Sequence, residues 1–361
     1  MTATTEQSAQ KDGAAPASRF FDFAAATARV LRDFPQMKSN TVFLNTDTPH
    51  ETYGDWKAKL AAKLTGQGSH SRKQIQQSNH EDSSYAFQNS RWGAQLKSLV
   101  FKPNDAFSEQ LGVTVDKHQA QAYGFHHELG HLVVKDAHGP MPMGKPYPEN
   151  AADGFATLRH LQDNPNDMLL PMVNSWARAY RFLVTGTQTH MSSTSIEAIV
   201  ADHAGKKRDF AAMDGAALAA AAADYADQNA PDEESVDRAR YEAYGRFKGI
   251  GKLFPLTENT QSQLLAFAET ALKAESRFAF QAGLSMFRPF LHPAGVEING
   301  VTIRLDDAKR EELTERFESR ADRMGVASLI AEWKQNVDAV CAQGQKPDSP
   351  AAAKPLKLSL S

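Results

Sequence analysis

The sequence predicts an α+β protein that is mainly helical, with a small N-terminal sheet and a helical C-terminal half. Apolar residues recur at helical spacing along most of the chain, beginning with RFFDFAAATARVLRDF. Two short runs, TVFLN and LKSLVFK, are bounded by Asn, Thr and Pro and are typical of strands. With 361 residues and 41% hydrophobic content, the chain is long enough to bury a sizeable core.

The composition argues against two classes of binding partner, nucleic acids and membranes. The formal net charge of -3 leaves no excess of positive charge to neutralise phosphates, so we expect no nucleic-acid partner. No apolar run approaches the roughly 20 residues that span a bilayer, and the polar start MTATTEQSAQKDGAAPAS does not resemble a secretory signal. The single cysteine, Cys341, cannot form an intrachain disulfide. We therefore expect a cytoplasmic protein without a membrane partner, and export by a signal-less route stays open.

Composition shifts divide the chain into four parts. Residues 1–18 are small and polar, and residues 344–361 are rich in Pro, Ala and Lys, so both ends are predicted to be disordered. Between them we expect one region over 19–186, with both helix and strand signals, and a mainly helical region over 187–343. No pattern indicates an oligomeric state.

A helix-loop-helix is predicted within the region 19–186. Asp116 and Gln119 have capping-box spacing, and the run from Lys117 to Lys135 contains no proline. The following DAHGPMPMGKPYP cannot continue a helix, and ENAADGFATLRHLQ then restarts helical periodicity.

Two further local signals lie in the C-terminal region. Thr194 and Glu197 have capping-box spacing and predict the start of a helix in SIEAIVADHA, which ends at Gly205. Asn299 and Gly300, between alternating apolar residues, predict a two-residue hairpin.

The segment FHHELGHLVV carries the main chemical signal. Residues four apart on a helix differ by about 40° in direction and about 6 Å in height, so the imidazoles of His127 and His131 can converge on one ion. Glu128 then points beside that ion. Because catalytic zinc takes three protein ligands and leaves a fourth position for water, a third ligand must come from elsewhere.

The second helix of the pair offers that ligand in ENAAD. Glu149 can bind the metal, and Asp153, four residues later on the same helical face, can accept the remaining ring N–H of a ligand histidine. Zinc suits a set of two histidines and one carboxylate, although iron also uses such sets.

HELGH followed by ENAAD resembles the gluzincin class of zinc metallopeptidases, with a spacing close to that of the thermolysin-like family. The resemblance implies that residues 19–186 form a zincin-like catalytic region, whose helix pair supplies His127, His131 and Glu149 as zinc ligands. It also implies Glu128 as general base and Asp153 as partner of a ligand histidine. ENAADGFATL is similar to a stretch of cytosolic regulatory peptidases that cleave repressors, and to a membrane-embedded peptidase group whose spanning helices this sequence lacks.

The expected activity is hydrolysis of a peptide or protein substrate, with Glu128 moving a proton from water to the leaving amine. His190 and Tyr180 are candidate donors to the developing oxyanion. His126, His160 and His203 are more typical of structural histidines and receive no role.

Several alternatives stay open at this point. LKSLVFK is either an edge strand that pairs with an extended substrate or an ordinary sheet strand. The protein is either a general peptidase or a specialised cytosolic regulatory peptidase with one protein target. A third possibility is a zinc-containing binding module without activity, although a carboxylate at Glu128 has no use in a purely structural zinc site.

Overall fold

The structure is a computed structural model of the chain. It describes residues 21–45, 85–89, 96–101, 115–138, 146–186, 191–247, 260–298 and 301–328, with scattered positions up to 338. The predicted disordered ends, 1–18 and 344–361, lie outside the described residues. In chain order the elements are α1 (Phe23–Asp33), α2 (Met37–Asn40), β1 (Thr41–Asn45), β2 (Tyr85–Asn89), β3 (Leu96–Phe101), α3 (Lys117–His138), α4 (Pro146–Asp163), α5 (Leu169–Thr185), α6 (Ser193–Ala204), α7 (Gly215–Asn229), α8 (Glu233–Phe247), α9 (Thr260–Leu272), α10 (Arg277–Phe287), a 3-10 helix (Arg288–Leu291), β4 (Val296–Ile298), β5 (Val301–Ile303) and α11 (Asp307–Arg323).

The predicted α+β class, with a small N-terminal sheet as part of the architecture, is wrong. Helices dominate the described residues, and the five strands are short segments beside the helical body. The extended segments β1, β3 and β2 do pair in that order beside this body, but they are only 5, 6 and 5 residues long. Three strands cover only a small part of a core that is otherwise built by helices, so helix packing defines the fold class.

The position of β3 also decides the role of LKSLVFK. This strand pairs in parallel with β1 and antiparallel with β2, so a neighbour lies on each side of it. A strand with both neighbours in place cannot receive a further strand. The edge-strand reading, in which this segment binds an extended substrate, is therefore wrong.

The two helices of the predicted helix-loop-helix pack against each other. Asp116 caps α3 by accepting a 2.9 Å hydrogen bond from the Gln119 backbone N–H, as the sequence predicts. The helix ends at His138 rather than Lys135, and α4 begins at Pro146. Proline suits the first turn of a helix because its missing N–H would have no intrahelical partner there.

The predicted capping box at the start of α6 is wrong. The helix begins at Ser193, and the Thr194 hydroxyl donates to the Asn229 carbonyl instead of capping the helix. The Glu197 carboxylate is buried in an ion pair with Arg288 and is not free to reach the helix N-terminus. Contacts with distant elements therefore replace the local cap.

A large buried apolar cluster extends from Val30 on α1 to Ile330, beyond the end of α11. On α3 it includes Phe125, Leu129 and Leu132, which form the apolar face of that helix. The division into regions 19–186 and 187–343 stays a prediction. In the described part of the chain, no helix combines the length and the apolar character needed to cross a membrane.

Candidate metal centre

His127 and His131 on α3 and Glu149 on α4 meet between the two helices. Their candidate ligand atoms lie within 4.8 Å of one another, and among the described residues this is the one group of three such side chains that could hold a metal ion. The two imidazole rings have centroids 4.8 Å apart and are nearly perpendicular, at 84°. The side chains are 14%, 23% and 19% exposed, so solvent reaches the cluster.

The distances within the cluster fit the chemistry of a tetrahedral zinc site. The Glu149 carboxylate oxygens lie 3.5 Å from His127 Nε2 and 3.6 Å from His131 Nε2. Ligand atoms placed about 2.1 Å from zinc at tetrahedral angles would be about 3.4 Å apart. The two distances are to different oxygens, Oε2 for His127 and Oε1 for His131, and both are longer than an ordinary hydrogen bond, which leaves space for an ion between the three side chains.

A close approach of α3 and α4 creates this arrangement. A Cβ atom added at Gly130 would lie 2.8 Å from Ala152 Cα and 2.9 Å from the Ala152 carbonyl oxygen. Only glycine therefore fits at this contact, and the small side chain of Ala152 lies directly opposite. The crossing places His131, one residue after Gly130, opposite Glu149.

Asp153 is the direct partner of His127. Its Oδ1 lies 2.7 Å from His127 Nδ1, which directs the opposite ring nitrogen, Nε2, toward Glu149. Asp153 is fully buried, at 0% exposure. A carboxylate on Nδ1 fixes the ring orientation and favours the tautomer in which Nε2 is available to a metal, as Asp153 was predicted to do.

Three residues that the sequence did not indicate complete the surroundings of Asp153. Arg178 on α5 donates through Nε to Oδ2 at 2.8 Å and through a terminal nitrogen to Oδ1 at 2.9 Å. Ser192 donates to Oδ2, and Asn174 lies 3.4 Å from Oδ1. The one available signal is the presence of Arg178 and Arg181 among the apolar residues of WARAYRFLVT, because charges in such a helix are typical of buried ion pairs; the sequence does not show which of the two arginines is paired.

Burial and neighbouring charges shift the pKa values of Asp153 and His127 in opposite directions. Burial would raise the pKa of Asp153, but the Arg178 guanidinium and His127 hold it well below its usual range. Burial would lower the pKa of His127, but the charge and hydrogen bond of Asp153, with the charge of Glu149, raise it to about 9. Asp153 is therefore ionised in the folded protein.

The other two motif residues have shifted pKa values of different origin. Burial raises the pKa of Glu128 to about 6, with the charge of His127 opposing the rise and that of Glu149 adding to it. Burial lowers the pKa of His131 to about 3, and the charge of His127 lowers it further. A neutral His131 is the form that binds metal, and a carboxyl group with a pKa near 6 can accept and return a proton close to neutral pH.

The remaining sequence candidates lie elsewhere or outside the described residues. Tyr180 follows Arg178 by two residues, about 200° further around α5, and packs against the large core. His190 lies outside the described residues, so its role and that of Tyr180 stay predictions. His160 and His203 hydrogen-bond to backbone carbonyls, and His126 is buried.

Comparisons with models of protein families, with curated proteins and with solved structures give no match to this chain. The geometry and electrostatics of the cluster therefore carry the functional inference.

Proposed function

We propose that the protein is a zinc-dependent metallopeptidase of the gluzincin type that hydrolyses peptide bonds. The carrying observation is the pair of 3.5 Å and 3.6 Å separations between the Glu149 carboxylate and the two histidine Nε2 atoms. Each of these separations is close to the distance between two ligand atoms of a tetrahedral zinc. His127, His131 and Glu149 are the proposed ligands, and Asp153 is the partner that orients His127.

The proposed chemistry divides between the metal and Glu128. When bound, zinc supplies a Lewis acid that polarises a carbonyl group and lowers the pKa of water toward neutrality. Glu128 follows His127 directly on α3, and the charges of both His127 and Glu149 act on it. Its pKa of about 6 suits a general base that takes a proton from water and later delivers it to the leaving amine.

The proposed substrate is a peptide or protein, because the poor leaving group of an amide needs that returned proton. His190 and Tyr180 remain proposed oxyanion donors. We also propose that the protein works in the cytoplasm, since its single cysteine suits a reducing compartment. A peptidase with one regulatory target would act on that target and leave generic peptides intact.

Metal content of the purified protein is the first test. We expect about one zinc per chain in the wild type by mass spectrometry and little or none in Glu149→Ala. Asp163→Ala is a matched control, because it removes an acidic side chain at the far end of the same helix, where Asp163 pairs with Arg29. A wild type that binds no zinc, even when zinc is supplied, would refute the proposal.

Hydrolysis by Glu128→Gln separates an enzyme from a zinc-containing binding module. We expect the variant to retain zinc and fold, because Glu128 is not a proposed ligand. Cleavage of a peptide library by the wild type should be abolished in the variant, because an amide cannot accept the proton. Full turnover in Glu128→Gln would contradict the role of Glu128 as general base. A wild type that binds zinc but cleaves neither the peptide library nor a mixture of cellular proteins would favour the binding module.

A further inference from the structure

The carboxylate of Asp153 is held at both oxygens by side chains from other parts of the chain. Arg178 on α5 reaches both Oδ1 and Oδ2, and Ser192, just before α6, donates to Oδ2. Asn174, one turn before Arg178 on α5, approaches Oδ1 at 3.4 Å. His127 occupies the remaining direction at Oδ1. The plane of this carboxylate is therefore defined by contacts on both oxygens.

Arg178 is the strongest of these contacts. Its two hydrogen bonds, 2.8 Å and 2.9 Å, form the two-pronged guanidinium–carboxylate pair that gives both charge attraction and a defined relative orientation. The Arg178 side chain is 3% exposed and that of Asp153 is 0% exposed, so water does not weaken the pair.

Rotation of the Asp153 carboxylate is the motion that these contacts prevent. The bond from Oδ1 to His127 Nδ1 depends on where Oδ1 lies, and the direction of Nε2 depends in turn on the ring angle that this bond sets. A turn of the carboxylate about its Cβ–Cγ bond would break one prong of the Arg178 pair as well as the contact with Ser192. The orientation of Nε2 is thus linked to Arg178 through one rigid carboxylate.

We propose that Arg178 is a positioning residue for the metal centre. By holding the Asp153 carboxylate in one orientation, Arg178 directs His127 Nε2 toward the metal. The proposal rests on the proposed function, since it assigns a support to the same zinc site. Ser192 and Asn174 assist on the two oxygens, but only the guanidinium holds both oxygens at once.

Zinc affinity of Arg178→Lys, measured by competition with a chromophoric chelator, tests this role. Lysine keeps the charge but cannot bind both oxygens with a fixed geometry. We expect zinc affinity to fall about 10- to 100-fold, the usual effect of losing an outer partner of a ligand. Arg159→Lys is the matched control: Arg159 is also 3% exposed and pairs with Asp33, yet lies on α4 away from the cluster. The control should keep wild-type zinc affinity.

A double-mutant cycle shows whether Arg178 acts through Asp153. Zinc affinity should be the same in Asp153→Asn and in Asp153→Asn with Arg178→Met, because the link is already broken in the single variant. The double variant buries no unpaired charge, so it keeps the test valid if Arg178→Lys fails to fold. A further loss of affinity in the double variant, or wild-type affinity in Arg178→Lys, would overturn the proposal.

A proton NMR signal provides a readout that loss of stability alone would not move. The His127 Nδ1–H hydrogen bond to Asp153 should give a downfield resonance, identified by its loss in Asp153→Asn. We expect it to shift upfield in Arg178→Lys and to stay in place in Arg159→Lys; an unchanged signal in Arg178→Lys would contradict the proposal. If the wild type binds no zinc, the proposed function fails, whereas this signal still tests the contact between Arg178, Asp153 and His127.

Discussion

His127 combines two requirements that conflict before a metal binds. Its Nδ1 contacts an ionised, fully buried carboxylate, which favours the charged imidazolium and raises the pKa to about 9 against the effect of burial. A metal, however, binds only the ring whose Nε2 has lost its proton. Zinc must therefore displace a proton from His127 at neutral pH, whereas His131, with a pKa of about 3, is already neutral.

The first prediction concerns the pH dependence of zinc binding. We expect apparent zinc affinity to rise between pH 7 and pH 9, by about tenfold per unit, and to level off above the His127 pKa of about 9. Chelator competition at several pH values measures this rise. In Asp153→Asn the His127 pKa should fall, so the rise should move to lower pH. An affinity that is flat from pH 7 to pH 9 would contradict the shifted pKa.

The same shift predicts how stability of the chelator-treated protein depends on pH. The folded-state pKa of His127 is raised from 6.5 to about 9, so its stabilising contribution is complete below about pH 6.5 and is lost as the pH rises through 9. The pKa of Asp153 is lowered, so its contribution is present above about pH 3.8 and is lost as the pH falls further. Urea unfolding of Asp153→Asn should show a weaker loss of stability between pH 6.5 and pH 9 than the wild type. Parallel pH profiles for the two proteins would rule out this linkage.

At the scale of elements, the contact between α3 and α4 determines whether the cluster forms. The two helices supply all three proposed ligands, and their backbones approach at Gly130 and Ala152. Asp153 is the residue after Ala152, so the same contact also sets the distance from Asp153 to His127. A change of an ångström in helix separation would move ligands and partner together.

Gly130→Ala is predicted to disturb this contact. The new Cβ would lie 2.8 Å from backbone and must push α4 away, which we expect to lower the free energy of unfolding by about 1–3 kcal/mol and to weaken zinc binding. Chemical denaturation and zinc competition measure the two effects. Gly245→Ala is the control, because nothing lies within 4 Å of a Cβ there; alanine in that exposed helical position should add about 0.5–1 kcal/mol. Wild-type zinc affinity in Gly130→Ala would show that the contact between α3 and α4 accommodates the added methyl group without moving the ligands.

At the scale of the whole molecule, a buried ion pair links the C-terminal helices to the surroundings of the site. Arg288, which begins the 3-10 helix after α10, pairs with Glu197 on α6, and Ser175 on α5 donates to the same carboxylate at 2.9 Å. Ser192 lies just before the start of α6 and contacts Asp153. The elements that surround Asp153 are thus tied to the C-terminal part of the apolar cluster.

Arg288→Met is predicted to destabilise the whole chain. It leaves the Glu197 carboxylate, 5% exposed, without its cationic partner, which we expect to lower the free energy of unfolding by about 3–5 kcal/mol. Because one apolar cluster extends across the helices, far-UV circular dichroism and tryptophan fluorescence should report the same urea transition. Arg316→Met, which breaks a half-exposed pair with Glu269, should have an effect of about 0–1 kcal/mol. Separate transitions for the two signals would indicate independently folding regions.

The sequence alone was sufficient for features that depend on neighbours along the chain. The helical spacing of His127 and His131, the cap at Asp116 and the break between the two site helices all follow from backbone geometry within a few residues. The spacing of Glu149 and Asp153 on one helical face follows from the same rule.

Tertiary structure alone decided which distant groups meet. Arg178 and Ser192 reach Asp153 across 25 and 39 residues of chain, and Glu197 pairs with Arg288 instead of capping its own helix. The prediction of an α+β class from the short β-rich segments is wrong, because local β-propensity does not determine how much of the core a segment covers. The physical reason is common to these cases. Local geometry depends on adjacent residues, whereas the partner of a buried charge depends on which side chains the fold brings together where water is excluded.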